Sequence, residues 1–255
     1  MNILCPICNN VLFKQDNTYK CSNKHNFDIA KQGYVNLNMH NSQNSGDNDT
    51  MINARDTFLK KGYFEFLLNE INKHINANDS LVDLACGQGY YTSRFVAKDK
   101  IGVDLSKHGL KIASKNDKSS TYLLNSIFHN PLEDNSADKI ITIFAPIAKE
   151  EIVRILKNDG QFILVRPSDN HLLELKNAIY DKSYLNDNED ISIEGLKHIN
   201  TFNISKKELL KHDDIINLFM MTPYVNTTSK KDKDKLDIIE ELEITFSFII
   251  DIYSK

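Results

Sequence analysis

The sequence predicts an α/β chain, a doubly wound parallel sheet preceded by a small cysteine-bearing module. Two observations carry this reading. From residue 80 onward, short apolar runs alternate with helical patterns, as parallel strands joined by crossover helices require. Ahead of them, Cys5, Cys8 and Cys21 crowd the start of the chain while Cys86 stands alone, an asymmetry that fits metal binding better than two disulfides.

A chain of 255 residues buries one substantial core and has room for one appended module. Apolar and aromatic residues make up 41%, and no apolar run approaches the roughly 18 positions of a membrane span. The amino terminus shows no export signal, so a cytoplasmic location is expected. The formal charge of -4 means that a nucleic-acid partner would need a locally basic surface. Residues 1–40 hold four lysines against two aspartates, and residues 94–118 seven Lys or Arg against three Asp. Either stretch also reads as an ordinary solvated face.

In chain order, residues 1–39 form the module, with Phe27, Ile29, Tyr34, Val35 and Leu37 as apolar cover. The polar stretch HNSQNSGDNDT at 40–50 has no periodicity and reads as a flexible linker. A second, larger domain then spans 51–255, opening with a helical extension. Phe58, Tyr63, Phe66, Leu67, Ile71 and Ile75 predict two helices interrupted around Gly62. SLVDLA at 80–85 is the first strand, with a helix beginning near Tyr90 to Phe95; KIGVDL at 100–105 is the second, with a helix over SKHGLKIASK. STYLLNS, KIITIFA at 139–145 and GQFILVRP at 160–167 follow as strands, with KEEIVRILK as a helix between the last two. Residues 170–181 are expected as a helix, 200–220 as a further strand or helix with a helical LLKHDDIINLF, and 239–253 as a final strand.

Cys5, Cys8, Cys21 and His25 are spaced C-x2-C-x12-C-x3-H, the arrangement of a structural tetrahedral zinc site. Two thiolates from a tight turn and a second pair beyond a hairpin fill four positions and leave none for substrate. One zinc ion per chain is therefore expected, replacing a core too small to hold the module alone. A redox cysteine pair and unliganded core cysteines are the alternatives.

LVDLACGQGYYTSRF at 81–95 places Asp83, Gly87 and Gly89 at the turn from the first strand to the first helix. Two close glycines let a backbone approach a ligand. Asp104, at the end of the second strand, can accept hydrogen bonds from both ribose hydroxyls. NAD is disfavoured, because Thr92 stands where the third dinucleotide glycine belongs and Asp83 would crowd a diphosphate. S-adenosyl-L-methionine, which carries a sulfonium and an ammonium and no phosphate, suits an acidic loop. The fold expected is thus a class I methyltransferase Rossmann-like sheet. Asn125 is a candidate for hydrogen-bonding adenine, with Ser126 or Ile127 bordering the ring.

CPIC, CSNKHNFDIAKQGYVNL at 21–37, DLACGQGYYT at 83–92, FAPIAKEEIVRILKNDG, HLLELK and MTPY at 221–224 together resemble the bacterial 23S rRNA (guanine-N1)-methyltransferases over nearly the whole chain. The resemblance implies methyl transfer to guanine N1 in a hairpin of 23S ribosomal RNA near the peptide exit tunnel, by a homodimer whose zinc module helps recognise RNA. It carries zinc ligation to Cys5, Cys8, Cys21 and His25, and cofactor binding to Asp83, Gly87, Gly89 and Asp104. Two departures are plain: residues 40–50 contain no Lys or Arg, and Ile127 and Phe128 stand where polar residues are common in the family.

Guanine N1 carries a proton, and reaching it requires extrusion of the base. Phe144, after the fourth strand, is a candidate to stack on that base; a core role is the alternative. His171 is a candidate general base, with helix capping or a structural hydrogen bond as the alternative. Other readings of the chain are a methyltransferase for a different RNA, a small molecule or a protein, and a zinc-bearing RNA-binding protein without activity.

Overall fold

The structure is a computed structural model that describes residues 1–39, 47–182, 185–186, 188 and 190–255. Strands β1 (Phe13–Gln15), β2 (Thr18–Lys20) and β3 (Asn26–Asp28) form a small antiparallel sheet. They are followed by β4 (Val35–Asn36), α1 (Asp49–Lys60), α2 (Glu65–Asn72), β5 (Ser80–Leu84), β6 (Asp99–Asp104), α3 (Lys107–Asn116) and β7 (Thr121–Leu124). Then come β8 (Ala137–Ile143), α4 (Lys149–Ile155), β9 (Leu156–Pro167), α5 (Leu173–Ile179), β10 (Lys197–Lys211), α6 (His212–Met220) and β11 (Glu241–Ser254).

The large sheet has eight strands in the order β4-β7-β6-β5-β8-β9-β11-β10. Pairing is parallel from β4 to β9 and antiparallel at β9/β11 and β11/β10. From β5 the chain winds outward through β6 and β7, then returns to β8 on the other side. The crevice at the carboxyl ends of β5 and β8 is therefore the switch point where such sheets take ligands.

Successive strand residues face opposite sides, which gives two cores. Leu81, Ile141, Ile163 and Val165 pack beneath α1, α2, α5 and α6 with Phe58, Leu67, Leu175 and Leu218. Val82, Leu84, Ile140, Phe162 and Leu164 pack on the other face with Ile152 and Ile155 of α4.

The small module is built into this second core. Cys5, Cys21, Val35 and Leu37 lie in it with Val103 and Leu123. Leu4 N donates to Pro131 O at 2.7 Å, and Val35–Asn36 pairs in parallel with Leu123–Leu124. The apolar run expected to cover the module alone thus extends the large sheet: Val35 and Leu37 are each 1% exposed.

Three expected boundaries are corrected. Of the linker 40–50, residues 40–46 lie outside the described residues, and Asp49 already opens α1, because the Asn48 side chain accepts the Met51 N–H as an N-cap. The helix expected to begin near Tyr90 to Phe95 is one 3-10 turn at Thr92–Arg94. It stops there because Asn72 of α2 accepts from Val96 N and donates to Arg94 O, turning the chain toward β6. Leu209–Lys211, expected within a helix, complete β10 by pairing with Glu241–Glu243; the helix begins at His212. No helix among the described residues is long and apolar enough to cross a membrane.

Candidate active site and metal centre

The metal centre follows from local chain geometry. The turn after Cys5 and the turn after Cys21 bring four ligand atoms within 4.8 Å of one another. Cys8 Sγ lies 3.7 Å from Cys21 Sγ, and His25 Nδ1 lies 3.5 Å from Cys5 Sγ and 3.4 Å from Cys21 Sγ. A tetrahedral zinc with ordinary bond lengths separates two sulfurs by about 3.8 Å and a sulfur from a nitrogen by about 3.6 Å. The observed distances fit that shell. Burial pushes the Cys5 thiol up, opposed by the Ile7 and Cys8 N–H groups, whereas the Asn10 N–H holds Cys8 down. Backbone donors aimed at sulfur suit thiolates, so the residues fit a structural zinc with a closed shell.

The cofactor loop sits at the carboxyl end of β5. Ala85, Gly87 and Gly89 all take left-handed φ, +63°, +56° and +76°. Gly89 is required twice, since a Cβ there would also stand 2.7 Å from Ala113 Cβ of α3. Asp104 closes the loop: Oδ2 accepts Gly87 N at 2.7 Å and Oδ1 accepts Ser106 N at 2.6 Å. Each oxygen retains acceptor capacity for a ribose hydroxyl.

Asp83, 2% exposed, accepts the Thr92 hydroxyl at 2.5 Å. Burial pushes its carboxyl up to about 7, against the Thr92 hydrogen bond and reinforced by Asp104. Burial also raises Asp104, although Gly87 and Ser106 N–H oppose it. One buried and one half-buried carboxyl group resist a diphosphate and suit a cationic ligand. Gln88 Nε2, buried within the loop, has no hydrogen-bond partner among the described residues. It is a donor that sequence reasoning passed over, recognisable only once the loop is folded. These residues fit S-adenosylmethionine, which supplies an activated methyl group when bound.

Asn125 and Ser126 follow β7 beside Asp104, with Asn125 N donating to Asp104 O at 3.0 Å. The Asn125 amide donates to His129 O at 2.5 Å and Ser126 Oγ accepts Phe128 N at 3.2 Å, so both side chains brace their own loop. Ile127, with Ser126 a candidate to border the adenine ring through side chain or backbone, is 7% exposed, in the same core as Ile152 and Ile155 of α4.

Phe144 follows β8 in a left-handed conformation, φ +55°, and is 44% exposed. Strained backbone of this kind persists where the surroundings hold it, characteristically at functional sites. Below the ring lies an aromatic floor: Phe248 at 5.2 Å, His171 at 6.3 Å and Phe64 at 6.4 Å between centroids. Phe64 was not legible in the helical pattern, because it sits in the turn between α1 and α2; the adjacent Gly62 was the available signal.

His171 is placed for packing rather than proton transfer. Its Nδ1 accepts Ser247 N at 3.2 Å, and its ring stands 4.7 Å from Phe248. Burial depresses it to about 3, leaving a weak proton acceptor. The structural hydrogen bond, given above as the alternative, is the role this geometry supports.

A doubly wound sheet with this strand order, an acidic glycine loop and a closed Cys3His centre defines an S-adenosylmethionine-dependent methyltransferase carrying a zinc ribbon. The family model for the RlmA N-terminal zinc ribbon matches residues 3–42, and that for the methyltransferase domain matches residues 82–164. The 23S rRNA (guanine(748)-N(1))-methyltransferase of Streptomyces fradiae is 31% identical over 186 residues, 69% of this chain and 66% of that protein. YxjB of Bacillus subtilis (strain 168), provisionally named a 23S rRNA (guanine-N(1)-)-methyltransferase, is 28% identical over 70% of this chain and 69% of its own length. The chain thus spans about two thirds of these relatives. Among solved structures, the YcgJ protein from Bacillus subtilis matches 74% of this chain and 97% of its own at 18% identity and a TM-score of 0.48. The chain belongs to the bacterial 23S rRNA (guanine-N1)-methyltransferase family with an N-terminal zinc ribbon.

Proposed function

We propose that this protein transfers the methyl group of S-adenosylmethionine to N1 of a guanine in a hairpin of 23S ribosomal RNA near the peptide exit tunnel, acting in the cytoplasm as a homodimer. Residues 1–39 place the RNA and residues 51–255 carry the chemistry. The observation that carries the reading is Phe144: an exposed ring held in a strained conformation at the carboxyl end of β8, one strand from the glycine loop. A ring so held offers an extruded base a stacking face beside the cofactor crevice. Asp104 and the glycine loop orient the cofactor, and the aromatic floor of Phe64, Phe248 and His171 fixes Phe144 and keeps water from beneath it. Family membership and the ribbon support RNA as the substrate.

The test incubates the full zinc-loaded chain, labelled cofactor and undermethylated large-subunit RNA. N1-methylguanine is expected on mass spectrometry of digested nucleosides, with a reverse-transcription stop in the hairpin because the methyl blocks the Watson–Crick edge. Label on metabolites or protein, on guanine N7 or on another base, without N1 product, overturns the reading.

A further inference from the structure

The acidic loop raises a problem that its own charges do not solve, since residues 83–92 hold no Lys or Arg. The amino-acid end of the cofactor carries a carboxylate as well as an ammonium, and Asp83 and Asp104 repel it. Among the nearby cations, Arg94 is engaged with Tyr90, donating to its carbonyl at 3.0 Å and standing 4.3 Å from its ring centroid. Lys100 reaches the carbonyls of Ser93 and Phe95 at 3.4 and 3.2 Å.

Arg55 of α1 is different. Its Nη1 stands 3.9 Å from the point where a Gly87 side chain would begin. The guanidinium is held from two sides, Nη1 donating to Asp47 Oδ2 at 2.5 Å and Nη2 to Met221 O at 3.2 Å. A guanidinium presents five N–H donors in a rigid fork matched to a carboxylate, so these two contacts orient it without exhausting it. Its charge already acts on the loop, opposing the larger effect of burial on Asp104. At 26% side-chain exposure it keeps contact with solvent from which a ligand can enter.

We infer that Arg55 binds the carboxylate of the cofactor's amino-acid end, beside Gly87, with Asp47 and Met221 orienting its guanidinium. Since Met221 opens the MTPY segment, this contact also ties cofactor seating to that turn.

The experiment is calorimetry on the full zinc-loaded chain with S-adenosylmethionine and with its decarboxylated analogue, which lacks only the carboxylate. Wild type should prefer the intact cofactor by roughly tenfold or more, the worth of a charge-assisted hydrogen bond. Arg55→Ala should remove that preference, weakening the intact cofactor while leaving the analogue within about twofold of its wild-type affinity; Arg55→Lys should keep part of it. Equal binding of both compounds by wild type overturns the inference without recourse to any variant. So does an Arg55→Ala loss that falls equally on both, which would give Arg55 a role in shaping the loop alone. The inference rests on the cofactor assignment within the proposed function and involves no RNA. A failure at guanine N1 with discrimination intact, or the reverse, separates the two readings.

Discussion

The Thr92 hydroxyl donates to Asp83 Oδ2 across 2.5 Å, inside the protein and at the root of the cofactor loop. The residue that excludes a dinucleotide fingerprint by not being glycine thus has a function of its own, anchoring the loop's first carboxylate. Thr92→Val keeps the volume and removes the donor. Cofactor affinity is expected to fall roughly tenfold, because a buried carboxylate loses a hydrogen bond, while Thr92→Ser retains most of it. Calorimetry decides, and an unchanged valine variant would detach this bond from cofactor binding.

Asp83 makes the cofactor complex sensitive to pH. Its carboxyl reaches about 7 in the folded chain, against about 3.9 when unfolded. Between those values the folded chain holds a proton that the unfolded chain has released, so stability without cofactor falls as pH rises through the window from about 4 to about 7. A cationic cofactor favours the ionised carboxylate. Binding at pH 6 should therefore expel a proton, seen as a dependence of binding heat on buffer ionisation enthalpy, and Asp83→Asn should abolish it. Identical heats in both buffers for wild type would place Asp83 out of reach of the cofactor's charge.

Zinc should matter beyond the ribbon. One ion per chain is expected by metal analysis of protein purified without added zinc. Because Cys5 and Cys21 share a core with Val35, Leu37 and Leu123, chelation or Cys21→Ser should raise hydrogen exchange at residues 35–37 as well as in the ribbon. Amides of Leu81–Leu84, in the middle of the sheet, should stay protected. Protection at 35–37 that survives zinc removal would make the ribbon an independent unit.

Phe144→Ala should separate RNA handling from cofactor handling. A base stacked on an aromatic ring contributes about 1–3 kcal/mol, so kcat/KM for RNA should fall roughly tenfold to a hundredfold while cofactor affinity holds. Phe144→Tyr should restore activity. A parallel loss of cofactor affinity would assign Phe144 to the cofactor pocket instead.

The sequence by itself determined the features whose signals are local. Cys5, Cys8, Cys21 and His25 are legible because a metal shell needs short, set spacings along the chain. Asp83, Gly87, Gly89 and Asp104 are legible because a tight glycine turn and an acidic residue at consecutive strand ends leave a pattern in residue order. Tertiary structure decided what depends on segments far apart in the chain. Val35–Asn36 becomes a parallel edge strand against Leu123–Leu124, a pairing that a two-residue stretch cannot announce. The floor beneath Phe144 draws Phe64, His171 and Phe248 from three separate segments, and it buries the histidine whose residue type had suggested acid-base work. Arg55 comes to Gly87 only because α1, packed against α3 and α6, brings it to the loop after β5. Spacing is written into the covalent chain, whereas which side chain is covered, and by what, is settled when distant apolar surfaces meet.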